Sequence, residues 1–207
     1  MDPQELSYML VGLGVTFATF VVIFVVTLVV AMILHYVEAI PVFKLAKKNG
    51  IGYAWVALIP IKLCSTFVLS AIPGEREINL FGKFKLKNMS AIIIYLCVYL
   101  IGVPVVTLIS GLIGGVLGLI PILGIILAAI VGFILGLVPA VAIVVLEYAF
   151  LKDVIDIYNA DKNANRTTSL IVTITDCFFY IVRGIYLWTL LKKEPVASKL
   201  EVEYSEI

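Results

Sequence analysis

Between Lys87 and Glu147 the chain reads NMSAIIIYLCVYLIGVPVVTLISGLIGGVLGLIPILGIILAAIVGFILGLVPAVAIVVL, Asn88 to Leu146, 59 residues without one charge. An α-helix rises about 1.5 Å per residue and the hydrocarbon core of a bilayer is roughly 30 Å thick, so this run crosses a membrane twice. Gly118, Pro121 and Gly124 are the turn-forming residues between the two crossings. The rest of the chain agrees. It is 62% apolar and 14% charged, with mean hydropathy +1.14, where a soluble domain is about half apolar and a quarter charged. Disorder, a nucleic-acid-binding surface and a water-soluble enzyme are excluded, and an integral membrane protein remains. The net charge of +1 gives no global field toward nucleic acid.

Extended outward, the pattern predicts an all-α polytopic membrane bundle forming one transmembrane domain, residues 1–191, with a solvated tail over 192–207. Four spans are expected at about 6–36, 89–111, 120–146 and 169–191. The first follows Met1-Asp2-Pro3-Gln4-Glu5 with no basic leader, so it reads as a retained anchor rather than a signal peptide. Pro41 to Gly52, with Lys44, Lys47 and Lys48, reads as an amphipathic surface segment. Residues 53–72 are apolar enough to span but hold Pro60 and Lys62 near the middle. A central lysine costs about 2.5–3.5 kcal/mol on insertion scales, and proline removes a backbone donor. The segment is therefore expected to be interfacial or re-entrant, with five spans as the alternative. Counting basic residues arbitrates. Four spans leave eleven on one side and three (Lys192, Lys193, Lys199) on the other, with Arg183 embedded; five spans give six and seven. The positive-inside rule then predicts a multi-pass protein of the cell membrane with its N-terminus outside.

Asp176 and Arg183 fall near the midpoint of the expected fourth span, where a charge facing lipid is expensive. Helical spacing puts Thr173, Asp176, Tyr180 and Arg183 on one face, an intramembrane polar stripe in which the two charges neutralise each other. Lys62 and Glu147 would join the same cluster if residues 53–72 re-enter. The glycines Gly111, Gly114, Gly115, Gly118, Gly132 and Gly136 supply GxxxG pairs for close helix packing, within the chain or with another. Lys44, Lys47, Lys48, Lys83, Lys85 and Lys87 form a basic block suited to anionic lipid head groups, at about 1 kcal/mol per side chain near the surface. Three scattered cysteines and the lone His35 give neither a disulfide framework nor a metal-ligand spacing, and no cofactor is implied. The motifs HExxH, GxSxG, the P-loop and the dinucleotide fingerprint are absent. A Ser/Lys pair of Ser65 or Ser70 with Lys62 is compositionally available but lacks a domain to hold it.

The segment PVFKLAKKNGIGYAWVALIPIKL, residues 41–63, resembles a stretch in uncharacterised small polytopic membrane proteins of bacteria, Lys-x-Gly followed by Trp-x-x-x-Ile/Leu-Ile-Pro. The matching positions are Lys47 or Lys48, Gly50, Trp55, Ile59 and Pro60. Where those proteins continue with an aromatic and an asparagine, this chain has Ile61-Lys62. The resemblance covers about a tenth of the chain. It implies a multi-span protein with an interfacial or re-entrant piece after the first span, and no activity.

These features rank three functions. The leading one is a non-catalytic membrane subunit acting through helix contacts with a second copy or a membrane-protein partner. Second is a small transporter or channel with a polar path at Asp176 and Arg183. A membrane-embedded enzyme comes third.

Overall fold

A computed structural model describes residues 3–74, 77–80, 84–120 and 123–196; Pro121, Lys83, Lys199 and most of the expected tail lie outside them. In chain order come α1 (Pro3–Lys48), a 3-10 turn (Ala54–Leu58), α2 (Lys62–Ala71) and a hairpin of β1 (Glu77–Leu80) and β2 (Phe84–Lys87). Then α3 (Asn88–Cys97) passes through a π-turn (Val98–Gly102) into α4 (Val103–Leu117), followed by α5 (Leu123–Tyr158), α6 (Lys162–Phe178) and α7 (Val182–Leu191). Among the described residues, three helices are long and apolar enough to cross a membrane: α1 from Leu13, the continuous α3–α4, and α5.

Every residue of α1 from Leu13 to Ile33 is exposed. At about 1.5 Å per residue that bare stretch rises roughly 31 Å, a hydrocarbon thickness, and lipid is the solvent that suits it. Below it the burial pattern turns helical, with His35, Glu38, Val42, Leu45 and Ala46 facing inward. Val42, Leu45 and Ala46 pack with Val68 and Leu69 of α2, Leu151, Val154 and Ile155 of α5, and Leu187 and Leu190 of α7. A second apolar cluster joins Ile78 of β1, Ala91 and Ile92 of α3, and Leu146, Ala149 and Phe150 of α5. The molecule is thus a packed base from which α1 and the α4–α5 hairpin rise as apolar helices.

The structure bears on the sequence reading in four places. First, α1 does not end at Tyr36; the basic stretch from Pro41 to Lys48 forms its last turns rather than a separate segment. Proline is tolerated because Val37, whose carbonyl loses its intrahelical donor at Pro41, accepts instead from the Trp188 indole N–H at 3.1 Å. Second, residues 77–87 add a two-stranded antiparallel hairpin to the all-α expectation, pairing Glu77 with Lys87 and Ile78 with Leu86.

Third, residues 53–72 break at Ile59–Ile61 into the 3-10 turn and the ten-residue α2. Neither piece is long enough to cross, so the five-span alternative fails and the interrupted segment stands. Fourth, the expected span at 169–191 is not one helix. Phe179 leaves helical geometry (φ −129°, ψ 86°), and the chain turns back through Ile181. Asp176 Oδ1 accepts from the Arg183 backbone N–H at 3.1 Å, capping the start of α7 and closing the turn.

α6 packs on α5 and on α7, and α7 on α1, so the pair is a helical hairpin. Lys48 Nζ donates to the Lys193 carbonyl at 2.8 Å, which returns the end of α7 to the end of α1. α6 is also inverted. Its polar face (Asn165, Ser169, Thr173, Asp176) is buried, while Leu170, Ile171, Ile174 and Phe178 are exposed.

The glycines sort into three kinds. A Cβ on Gly124 would lie 1.7 Å from the Leu117 carbonyl oxygen, so the α4–α5 turn requires glycine there. Gly114 packs near Ala128 and Gly132 near Ser110, closing the hairpin on itself, whereas Gly111, Gly115 and Gly136 meet open space.

Candidate functional site: a buried ion network

Just below the bare part of α1, the elements of the base each contribute a polar side chain to one cluster. Glu38 comes from α1, Lys62 from the first position of α2, Tyr95 from α3, Glu147 from α5, Asp176 from α6 and Arg183 from α7. The register follows from the apolar pattern. On α1, α5 and α7 the charged residue lies just N-terminal to the buried apolar residues, and on the oppositely running α3 Tyr95 lies just C-terminal to them. The network therefore caps the core on the side of the bare helices.

Arg183 is its centre and is 1% exposed. One terminal nitrogen, Nη2, pairs with Glu38 Oε1. Nη1 lies 3.2 Å from Glu147 Oε2, and Nε lies 3.8 Å from Asp176 Oδ2. Lys62 Nζ bridges the remaining sides, 3.6 Å from Glu147 Oε2 and 3.5 Å from Asp176 Oδ2, and lies over the Tyr180 ring at 4.7 Å. Neutral donors complete the two glutamates. Tyr95 donates to Glu147 Oε1 at 3.1 Å, and the Ser65 hydroxyl is 2.9 Å from Glu38 Oε1. Burial pushes the Asp176 carboxyl above the usual carboxylate range, against the opposing pull of Arg183 and Lys62.

Arg183 reaches Glu38 because α7 lies almost on the backbone of α1. A Cβ on Gly184 would stand 2.8 Å from the Val37 oxygen and 2.9 Å from its carbon. Replacing glycine there requires the helices to part. Glu38, Tyr95 and Gly184 are the three members of the site that the sequence reading missed. The signal for Glu38 is its spacing of four and seven from Val42 and Leu45, which places it on the buried face of a longer helix.

Of the predicted polar stripe, Asp176 and Arg183 do meet, though across a turn rather than along one helix. Tyr180 joins through Lys62. Thr173 is buried one turn before Asp176, with a hydroxyl that makes no hydrogen bond. Lys62 and Glu147 meet in the cluster. Ser65 turns to Glu38 and to the Lys62 carbonyl, and Ser70 to the Phe67 carbonyl.

At the base surface Lys44 lies over the Trp188 ring at 4.8 Å and Lys48 over Tyr158 at 5.7 Å, while Lys47, Lys85 and Lys87 are exposed. A cavity of about 470 Å³ opens between α2, the β-hairpin and the start of α3, lined by Tyr53, Gly74, Glu77, Lys87, Asn88 and Met89 among others; no network residue lines it. Among the described residues, no group of three His, Cys, Asp or Glu side chains converges to hold a metal ion. Compared with family models, curated proteins and solved structures, the chain finds no match.

Proposed function

We propose that this chain is a non-catalytic membrane subunit that holds partner helices, its own or another protein's, against fixed apolar faces. The supporting observation is the contrast between the two halves of α1. Its lower half is clamped by α2 and α7, while Leu13–Ile33 is bare on every side. An ion network that ties six helices at one level fixes the direction in which α1 and the α4–α5 hairpin leave the base. Rigid, separated apolar helices suit recognition by other helices, and the open glycines Gly111, Gly115 and Gly136 allow close approach.

The described basic residues outside the network all belong to the base, including Lys44, Lys48, Lys85, Lys87, Lys152, Lys162, Arg166 and Lys193. By the positive-inside rule the base faces the cytoplasm, contacts anionic head groups through these lysines, and leaves the N-terminus outside. The tail then lies on the cytoplasmic side as well. The transporter reading draws on the same charges, but they pair with one another and none lines the described cavity.

The test is photo-crosslinking in native membranes from a benzophenone amino acid at Phe17 or Phe20, both exposed. Discrete protein adducts are expected, either of doubled mass or with a partner. Lipid adducts alone, together with a monomer in nanodiscs, would overturn the proposal.

A further inference from the structure

We infer that the buried network is a one-proton site, holding a proton on the Asp176 carboxyl at neutral pH. The inference begins with a charge count. Three carboxylates (Glu38, Glu147, Asp176) face two cations (Lys62, Arg183), which leaves one negative charge uncompensated in a set whose acids are all at least 94% buried. A low-dielectric interior does not hold an unpaired charge; the group takes up a proton or a cation instead.

Geometry selects the carboxyl. Glu38 has the closest contact with Arg183 and a hydroxyl from Ser65. Glu147 has Arg183 at 3.2 Å and the Tyr95 hydroxyl. Asp176 Oδ2 has only two loose contacts, at 3.5 and 3.8 Å, and is the acid least compensated by its neighbours. The other titratable groups nearby, Tyr95, Tyr180 and Cys177, are neutral at neutral pH and add no charge.

His35, three residues before Glu38, is the rival proton carrier. Its buried Nε2 has no hydrogen-bond partner, and no ion pair within 4.0 Å involves it among the described residues. Protonated, it would be a buried cation without a counter-ion. A metal ion is the other rival, and the three acids do not converge into a ligand set.

The experiment is infrared spectroscopy of the full chain in lipid nanodiscs. At neutral pH one carbonyl stretch of a protonated carboxyl is expected. It should shift when aspartate is labelled with carbon-13, stay fixed when glutamate is labelled, and be lost in Asp176→Asn. Labelling reads the wild-type chain, so the assignment does not depend on the variant folding. Absence of the band at neutral pH, movement with glutamate labelling, or persistence in folded Asp176→Asn would each overturn the inference. So would disappearance of the band on adding sodium, which would identify a metal-cation site.

Discussion

The indole N–H of Trp188 donates to the carbonyl of Val37, the one carbonyl of α1 that Pro41 leaves without its helical donor. One residue's missing hydrogen thus becomes a docking point for another helix. Trp188→Phe is expected to lower unfolding stability in detergent by about 0.5–1.5 kcal/mol, the net worth of one hydrogen bond. In a Pro41→Ala background, where the restored backbone N–H supplies the helical donor, the loss should shrink. Equal losses in both backgrounds would show that the hydrogen bond is not the source.

Glycine substitutions should divide by what a new Cβ meets. Gly184→Ala drives a methyl into the Val37 carbonyl and should separate α7 from α1, weakening the Glu38–Arg183 pair with it. Gly136→Ala meets open space, and alanine's helix preference of about 1 kcal/mol makes it neutral or stabilising in monomer unfolding. Thermal unfolding of the two side by side decides.

Two of the three acids around Arg183 should respond to very different degrees. Glu38→Gln leaves the guanidinium without its closest counter-charge and is expected to cost about 3–5 kcal/mol. Asp176→Asn keeps the Arg183 cap acceptor and brings the remaining charges into balance, so its loss should be under about 1 kcal/mol, less than one neutral hydrogen bond. The pH dependence follows from the raised Asp176 carboxyl. The folded state keeps that proton to higher pH than the unfolded chain does. Wild type should therefore lose stability relative to Asp176→Asn as pH rises from the unfolded carboxylate range through the folded one, and recover it in acid. A difference that is flat with pH counts against the assignment.

Sidedness is open to labelling. In a background with Cys64, Cys97 and Cys177 replaced by serine, Lys193→Cys and Glu77→Cys should label from one side of the membrane, and Leu119→Cys, in the α4–α5 turn, from the other. Labelling of Lys193→Cys together with Leu119→Cys would restore a fourth crossing.

Much of this arrangement is legible in the chain. The 59-residue uncharged run yields the α3–α4 and α5 spans, and Pro60 with Lys62 marks the broken segment. What stays hidden is tertiary. Pro41 reads as a helix boundary because the indole that satisfies the freed Val37 carbonyl sits 151 residues away. The turn at Phe179–Ile181 carries neither glycine nor proline; it is made by Asp176 reaching the Arg183 amide, and a continuous apolar helix is the natural reading without that contact. The β-hairpin was readable from the alternation around Ile78 and Leu86, a two-residue period outweighed by the surrounding helical signal.

The inverted face of α6 bears on the order in which the protein is made. A hairpin carrying Arg183 is costly to place in a bilayer by itself, because the guanidinium would enter lipid without Glu38 and Glu147. It can settle only after Glu38 and Glu147 are in place to receive it, and those residues leave the ribosome earlier. The order of the chain, with α6 and α7 after α1 and α5, thus lets the hairpin dock onto partners already made. Moving them to the front of the chain, with every contact of the finished fold still available, would ask the membrane to accept the charges first.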